Sequence, residues 1–109
     1  MQIGNLDRRV QFKRGAMADN GFARAETFSA LGSPVWANRR DMTDKEKETA
    51  GQTIASKASR FVVRWSAFAA GVAVTDRLAC EGLEFGIDGI RELGRREWIE
   101  ITASARVDL

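Results

Sequence analysis

The run Ser59-Arg60-Phe61-Val62-Val63-Arg64-Trp65 places Phe61, Val63 and Trp65 on one face of an extended chain and Arg60, Val62 and Arg64 on the other. A strand with one apolar and one wet face must pair sideways and cover its apolar side, so this segment commits the chain to a sheet. The same period of two recurs elsewhere. A Gly4-Asn5 turn leads into a strand from about Arg8 to Arg14, with Val10 and Phe12 opposed by Arg9, Gln11 and Lys13. Pro34, the single proline, fixes an extended entry into Val35-Trp36-Ala37-Asn38-Arg39, where Trp36 is the expected core anchor. Asp76–Glu81 and Leu83–Ile87 read as a hairpin turning through Gly82, and a last strand from about Glu97 to Arg106 carries Trp98, Ile99 and Ile101. A small sheet must close or cover its edges, so the expected fold is all-β: a small barrel or sandwich of about five to seven strands with at most one short helix.

Two stretches break the pattern. Gly15–Ser33 is polar and rich in small residues, with Asp19-Asn20-Gly21 as its turn, and reads as a surface loop holding at most one short strand. Ala67–Gly71 reads as a small-residue turn. Asp41–Lys57 is different in kind: it has mixed charge and almost no apolar residue, and therefore little to bury. Asp44 suits a helix N-cap and Glu46 and Glu48 a first helical turn, but Gly51 limits any helix there to a short one. A loop longer than about 12 residues in so small a domain is unusual and is often functional.

Length and composition bound the function. With 109 residues, 44% of them hydrophobic, the chain is sized for one domain, residues 1–109, around one core. No apolar leader precedes the first strand, and the weakly polar stretch Ser66–Val74 is far below the ~20 residues that cross a bilayer, so a cytoplasmic protein without membrane contact is expected. Histidine is absent, which removes Ser/His and Cys/His catalysis within the chain. The single cysteine, Cys80, has no partner for a disulfide or a structural zinc and reads as a small buried hydrophobe. Neither enzyme nor cofactor is expected. Seventeen basic and fifteen acidic residues leave a net charge of +2, too little for a dedicated nucleic-acid binder.

Read in order, Ile3-Gly4-Asn5-Leu6-Asp7-Arg8-Arg9-Val10, Val35-Trp36-Ala37, the Glu-containing loop, Phe61-Val62-Val63-Arg64-Trp65 and the Asp76-Arg77-Leu78…Gly82…Phe85-Gly86-Ile87 hairpin resemble the phage head-tail joining proteins, also called head closure, stopper or adaptor proteins. The likeness spans nearly the whole chain, and its N-terminal motif and the Phe61-Val62-Val63-Arg64-Trp65 strand are the most specific parts. It implies a β-barrel subunit of a six- or twelve-fold ring in the virion of a tailed phage, prophage or gene transfer agent, assembled in the bacterial host cytoplasm. Such a ring sits between a portal or adaptor ring and a tail terminator or tail tube ring. A long loop, carried onto Asp41–Lys57 here, projects into the central channel and touches double-stranded DNA in transit. Its gating residues correspond to Asp41, Thr43, Asp44, Lys45, Glu46, Lys47, Glu48 and Gln52. This chain departs from its relatives in lacking tyrosine and in carrying Lys45 where glycine is common.

Asp7, Arg8, Arg9, Trp36, Arg39 and Arg40 are the candidates for contact between subunits, against the plainer alternative of a solvated strand face. Trp36, Trp65 and Trp98 are expected to pack in the core or between subunits. A second class of function remains: an OB-like module for single-stranded nucleic acid, favoured by interleaved Arg and Trp and disfavoured by the low net charge.

Overall fold

The structure is a computed structural model and describes residues 4–19, 24–43 and 56–106. Among the described residues seven strands and one short helix follow one another: β1 (Arg8–Asp19), β2 (Arg24–Ala30), β3 (Val35–Asp41), β4 (Ser56–Arg64), α1 (Ala67–Ala70), β5 (Arg77–Cys80), β6 (Leu83–Leu93) and β7 (Trp98–Arg106). They hydrogen-bond in the order β2-β1-β3-β4-β7-β6-β5, and β1 also pairs with β5. That last pairing closes six strands into a barrel and leaves β2 as an extra strand. The fold is essentially all-β, as the period-two segments require.

β1 makes closure possible because it changes partners along its length. Arg8–Val10 pair with β3, Gln11–Lys13 with β5, and Lys13–Asp19 with β2. Its inward residues Val10 and Phe12 meet Ala37, Phe61, Val63, Leu78, Cys80, Phe85, Ile87, Ile99, Ile101 and Ala103, all buried, in one core. Phe61 and Phe85 pack edge to face at 5.3 Å, within the preferred range for aromatic pairs. Helix α1 plugs one end: Ala69 is buried and Phe68 lies edge-on to Phe12 at 6.1 Å. One turn of helix is not stable alone. Here the Ser66 hydroxyl accepts the Ala69 N–H at 3.0 Å and packing does the rest.

Three expectations need correction. Gly15–Ser33 is a hairpin, with Lys13 opposite Ala30 through Asp19 opposite Arg24, and is not a loop. Its strands lack apolar alternation because they run beyond the core and have no inner face to cover. Trp36 is not the core anchor: it is 51% exposed, while Ala37 beside it is fully buried opposite Val63. Trp65 and Trp98 are half-buried, and Trp65 packs against the edge of the core. The helix lies at Ala67–Ala70, where a turn was expected; the expected helix start at Asp44 lies outside the described residues. The Gly82 hairpin stands as read, and positive φ at both Glu81 (51°) and Gly82 (80°) matches the two-residue turn that suits strand twist.

Gly32 shows how tightly the plug is seated. Its φ is +68°, and a Cβ there would lie 2.6 Å from the Phe68 ring. Gly32→Ala combines left-handed strain with overpacking and is expected to cost about 2–3 kcal/mol. Chemical denaturation reads this as a lower midpoint with an unchanged slope.

Candidate assembly surfaces

Two surface features gather the residues singled out from the sequence. The first surrounds Trp36. Strand alternation sends Ala37 inward and Trp36 outward, and the β1–β3 register puts Arg9 directly opposite Trp36. The Arg9 guanidinium lies 4.3 Å from the indole centroid and donates to the Pro34 carbonyl at 3.3 Å. A cation held over the face of an indole fixes the ring at low cost. The result is a presented tryptophan.

Beside it runs a groove of about 710 Å³, floored by Leu6, Val35, Val63 and Ala69 and rimmed by Asp7, Arg9 and Arg64. An open, mostly apolar groove with a few charges on its rim is the anatomy of a protein-docking surface. Leu6 reaches it because Gly4, at φ +90°, turns the chain ahead of β1 while the Asn38 amide donates to the Asn5 carbonyl at 3.0 Å.

The second feature caps the opposite end of the barrel, where β3 leaves and β4 returns. Arg39 follows the inward parity of Ala37, and its side chain is only 7% exposed. Its guanidinium lies over the Phe85 and Phe61 rings at 5.3 and 5.7 Å and pairs with Asp41 at 3.1 Å and Glu81 at 3.4 Å. The Ser59 hydroxyl donates to Asp41 at 2.7 Å, and Arg8 joins through Glu81 and, at 3.4 Å, Asp7. Arg8, Arg39, Asp41, Lys57 and Glu81 line a polar hollow of about 140 Å³. The Ser59 hydrogen bond, more than the neighbouring Arg39 charge, holds the Asp41 carboxyl below its ordinary value, and burial pushes the Cys80 thiol up.

The sequence-derived candidates therefore separate into different roles. Trp36, Arg9 and Asp7 belong to the groove. Arg8 belongs to the charged barrel end. Arg39 is withdrawn from the list of exposed contact residues, because its parity on β3 buries it under two phenylalanines as an ionic lid. Arg40 is exposed, opposite Arg60. Of the gating residues, Asp41 and Thr43 are described, both exposed at the foot of the segment, and the Met42 N–H bonds the Ala58 carbonyl at 2.9 Å. Asp44, Lys45, Glu46, Lys47, Glu48 and Gln52 lie outside the described residues. Glu81 and Ser59 escaped the sequence reading, since a hairpin-turn glutamate and a strand serine carry no motif. Among the described residues no cluster of acidic or cysteine side chains is arranged to hold a metal, and no helix is long and apolar enough to cross a membrane.

A search among curated proteins finds no match. Among solved structures, the fold is similar to protein SF1141 from Shigella flexneri 2a, determined in solution, with a TM-score of 0.73 and 22% identity over 96% of each chain. It is also similar to a chain in the virion of a native gene transfer agent particle, with a TM-score of 0.64 and 22% identity over 93% of this chain and 94% of that one. The family model of the phage head completion protein matches residues 1–106, taking in every strand of the barrel, the extra strand and both surface features. The barrel, presented tryptophan and charged barrel end thus sit on a chain that belongs to the phage head completion protein family, structural components of the virion.

Proposed function

We propose that this chain is a ring-forming connector at the head-tail interface: it closes the DNA-filled head, docks the tail and forms part of the channel through which DNA leaves. The observation that carries the reading is the groove beside Trp36 in a chain of the head completion family. Its fixed, half-exposed indole and apolar floor suit contact between subunits of the ring, or with the rings above and below it. A subunit that uses two different surfaces makes heterologous contacts, and these give a closed ring when the rotation closes. Near-neutral net charge suits a conduit, because a uniformly basic lumen would grip phosphates and slow DNA passage.

The segment between β3 and β4 is the channel element in this reading, with Asp41 and Thr43 at one foot and Lys57 at the other. The Arg39–Asp41–Ser59 network ties that foot to the barrel end. Base stacking on the aromatic residues, as an OB-like module requires, has less support: Trp36, Trp65 and Trp98 each have an arginine guanidinium over the ring, from Arg9, Arg96 and Arg64.

Electron microscopy of particles made with and without this chain tests the connector role. Heads that fail to join tails in its absence are expected; a normal yield of tailed, DNA-filled particles would refute it. Deleting Asp44–Gln52 is a narrower test. Little apolar surface goes with it, so circular dichroism and melting are expected to stay near wild type while heads lose most of their packaged DNA. Full DNA retention by such particles removes the gating role and leaves the connector role intact.

A further inference from the structure

One row of side chains crosses the barrel at right angles to its strands. Arg9 on β1 lies opposite Trp36 on β3, Arg64 on β4 lies opposite Trp98 on β7, and Trp98 lies opposite Leu93 on β6. The β3–β4 register, carried one step past the Ala37–Val63 pair, sets Trp36 beside Arg64, and both line the same groove. All five share the outward parity, since Ala37, Val63 and Ile99 next to them in the chain face the core. At about 4.8 Å per strand the row spans about 19 Å.

Aromatic rings hold both of its arginines. The Arg9 guanidinium lies 4.3 Å from the Trp36 centroid and that of Arg64 lies 5.2 Å from the Trp98 centroid. An indole steadies a guanidinium by its flat face without neutralising it, and leaves the in-plane N–H fork to a carboxylate. Three more arginines stand in the next two rows of the same face: Arg91 opposite Glu100, which it bonds at 3.0 Å, and Arg40 opposite Arg60. Over the paired strand positions of these three rows, five arginines face one glutamate. The face therefore carries +4 on a chain whose total is +2.

We propose that this face receives an acidic surface of a different virion protein in an adjoining ring, its carboxylates meeting Arg9 and Arg64 while its apolar side chains cover Trp36 and Trp98. This rests on the connector reading and gives the partner of the Trp36 groove its chemistry. Tryptophan and arginine are enriched at the centre of protein interfaces and lysine is depleted there; the paired positions of the three rows hold no lysine. Duplex DNA is a weaker fit, because phosphates leave the indoles uncovered and meet Glu100 with like charge. A second copy of this chain is a poor donor as well. Asp7, Asp41, Asp76, Glu81, Glu84 and Glu100 each pair with an arginine or lysine of their own molecule.

Zero-length cross-linking in assembled particles tests the proposal. Arg64→Lys and Arg9→Lys keep the charge and supply an amine, which a carbodiimide joins to a carboxylate in direct contact. Peptide mass spectrometry is expected to find an amide from position 64 or 9 to an aspartate or glutamate of another virion protein. An amide only to this chain, within or between copies, or none at either position, overturns the proposal. Arg64→Glu is the functional counterpart. Arg64 is exposed, so the purified chain is expected to melt near wild type, while the yield of tailed particles falls by about tenfold or more. Normal yield overturns the docking; heads that join tails but lose their DNA assign the face to the channel and overturn it too. Both results leave the connector reading standing, whereas heads that join tails without this chain at all remove that reading as well.

Discussion

Trp36→Glu is expected to leave the isolated domain folded, with a melting temperature close to wild type, and to abolish the joining of heads to tails. The two halves of this expectation have separate causes. Trp36 is 51% exposed and lies outside the core cluster, so replacing it removes little buried surface. What folding loses is chiefly the Arg9 contact, and a partly exposed cation-aromatic pair contributes about 0.5–1 kcal/mol. Assembly loses far more. Tryptophans at the centre of apolar docking surfaces are typical hot spots, and truncating one weakens a contact by about 2 kcal/mol or more, roughly 30-fold. A carboxylate in its place adds desolvation cost, and a ring repeats that penalty at every subunit. Tailed-particle yield by electron microscopy, set beside the melting curve of the purified chain, reads both halves. Trp36→Phe is expected to restore part of the yield. Normal yield from Trp36→Glu would show that the groove is not a docking surface.

Much of this molecule was legible before any coordinates. β4, the β5–β6 hairpin and β7 declare themselves because each lays one face on the core, and burial writes a period of two into the sequence. The β1–β2 ribbon was missed for the same physical reason in reverse. Strands that run past the core need no apolar face, so Gly15, Ala16 and Ser29 look like loop, and only the Asp19-Asn20-Gly21 turn at the centre hinted at a hairpin. Trp36 and Arg39 illustrate a second limit. Val35, Trp36 and Ala37 are all apolar, so alternation alone does not say which face is inner; pairing with Val63 decides it, and that contact is 26 residues distant in sequence. Once Ala37 faces inward, Arg39 must follow, and a residue type that usually marks a solvated surface becomes the lid of the barrel. Of the candidate surfaces, therefore, the residues were found but their grouping was not. The grouping is a property of closure, which places β1 between β3 and β5.

Closure also predicts where the barrel is most fragile. β5 is only four residues long, and the turn before it is held by Asp76, whose side chain is 2% exposed. Its two carboxylate oxygens accept from Arg14 Nε at 3.0 Å and Arg14 Nη2 at 2.9 Å, and one accepts the Ala73 N–H at 2.8 Å as well. Arg14 in turn donates to the Gly71 carbonyl at 2.9 Å, so one ion pair clasps β1 to the whole Gly71–Asp76 turn. Asp76→Ala leaves the Ala73 N–H and the Arg14 guanidinium without their acceptor and is expected to cost about 1–3 kcal/mol. Arg14→Ala leaves the Asp76 carboxylate without its counter-charge and is expected to destabilise the fold in the same direction. The pH dependence has a definite sign. The Arg14 hydrogen bonds hold the Asp76 carboxyl below its ordinary value, and Lys13 and Ser59 do the same for Glu84 and Asp41. A carboxyl whose folded pKa lies below its unfolded one stabilises the fold above the unfolded value, near 4, and that stabilisation is lost as pH falls through the folded value. Urea titrations are therefore expected to give a flat stability between about pH 5 and 8 and a fall below pH 4. In Asp76→Asn that fall is shallower, because one of its protons has been removed from the balance. An acid limb as steep in Asp76→Asn as in wild type would place the sensitivity at other carboxyls and deny the clasp its part in holding the barrel shut.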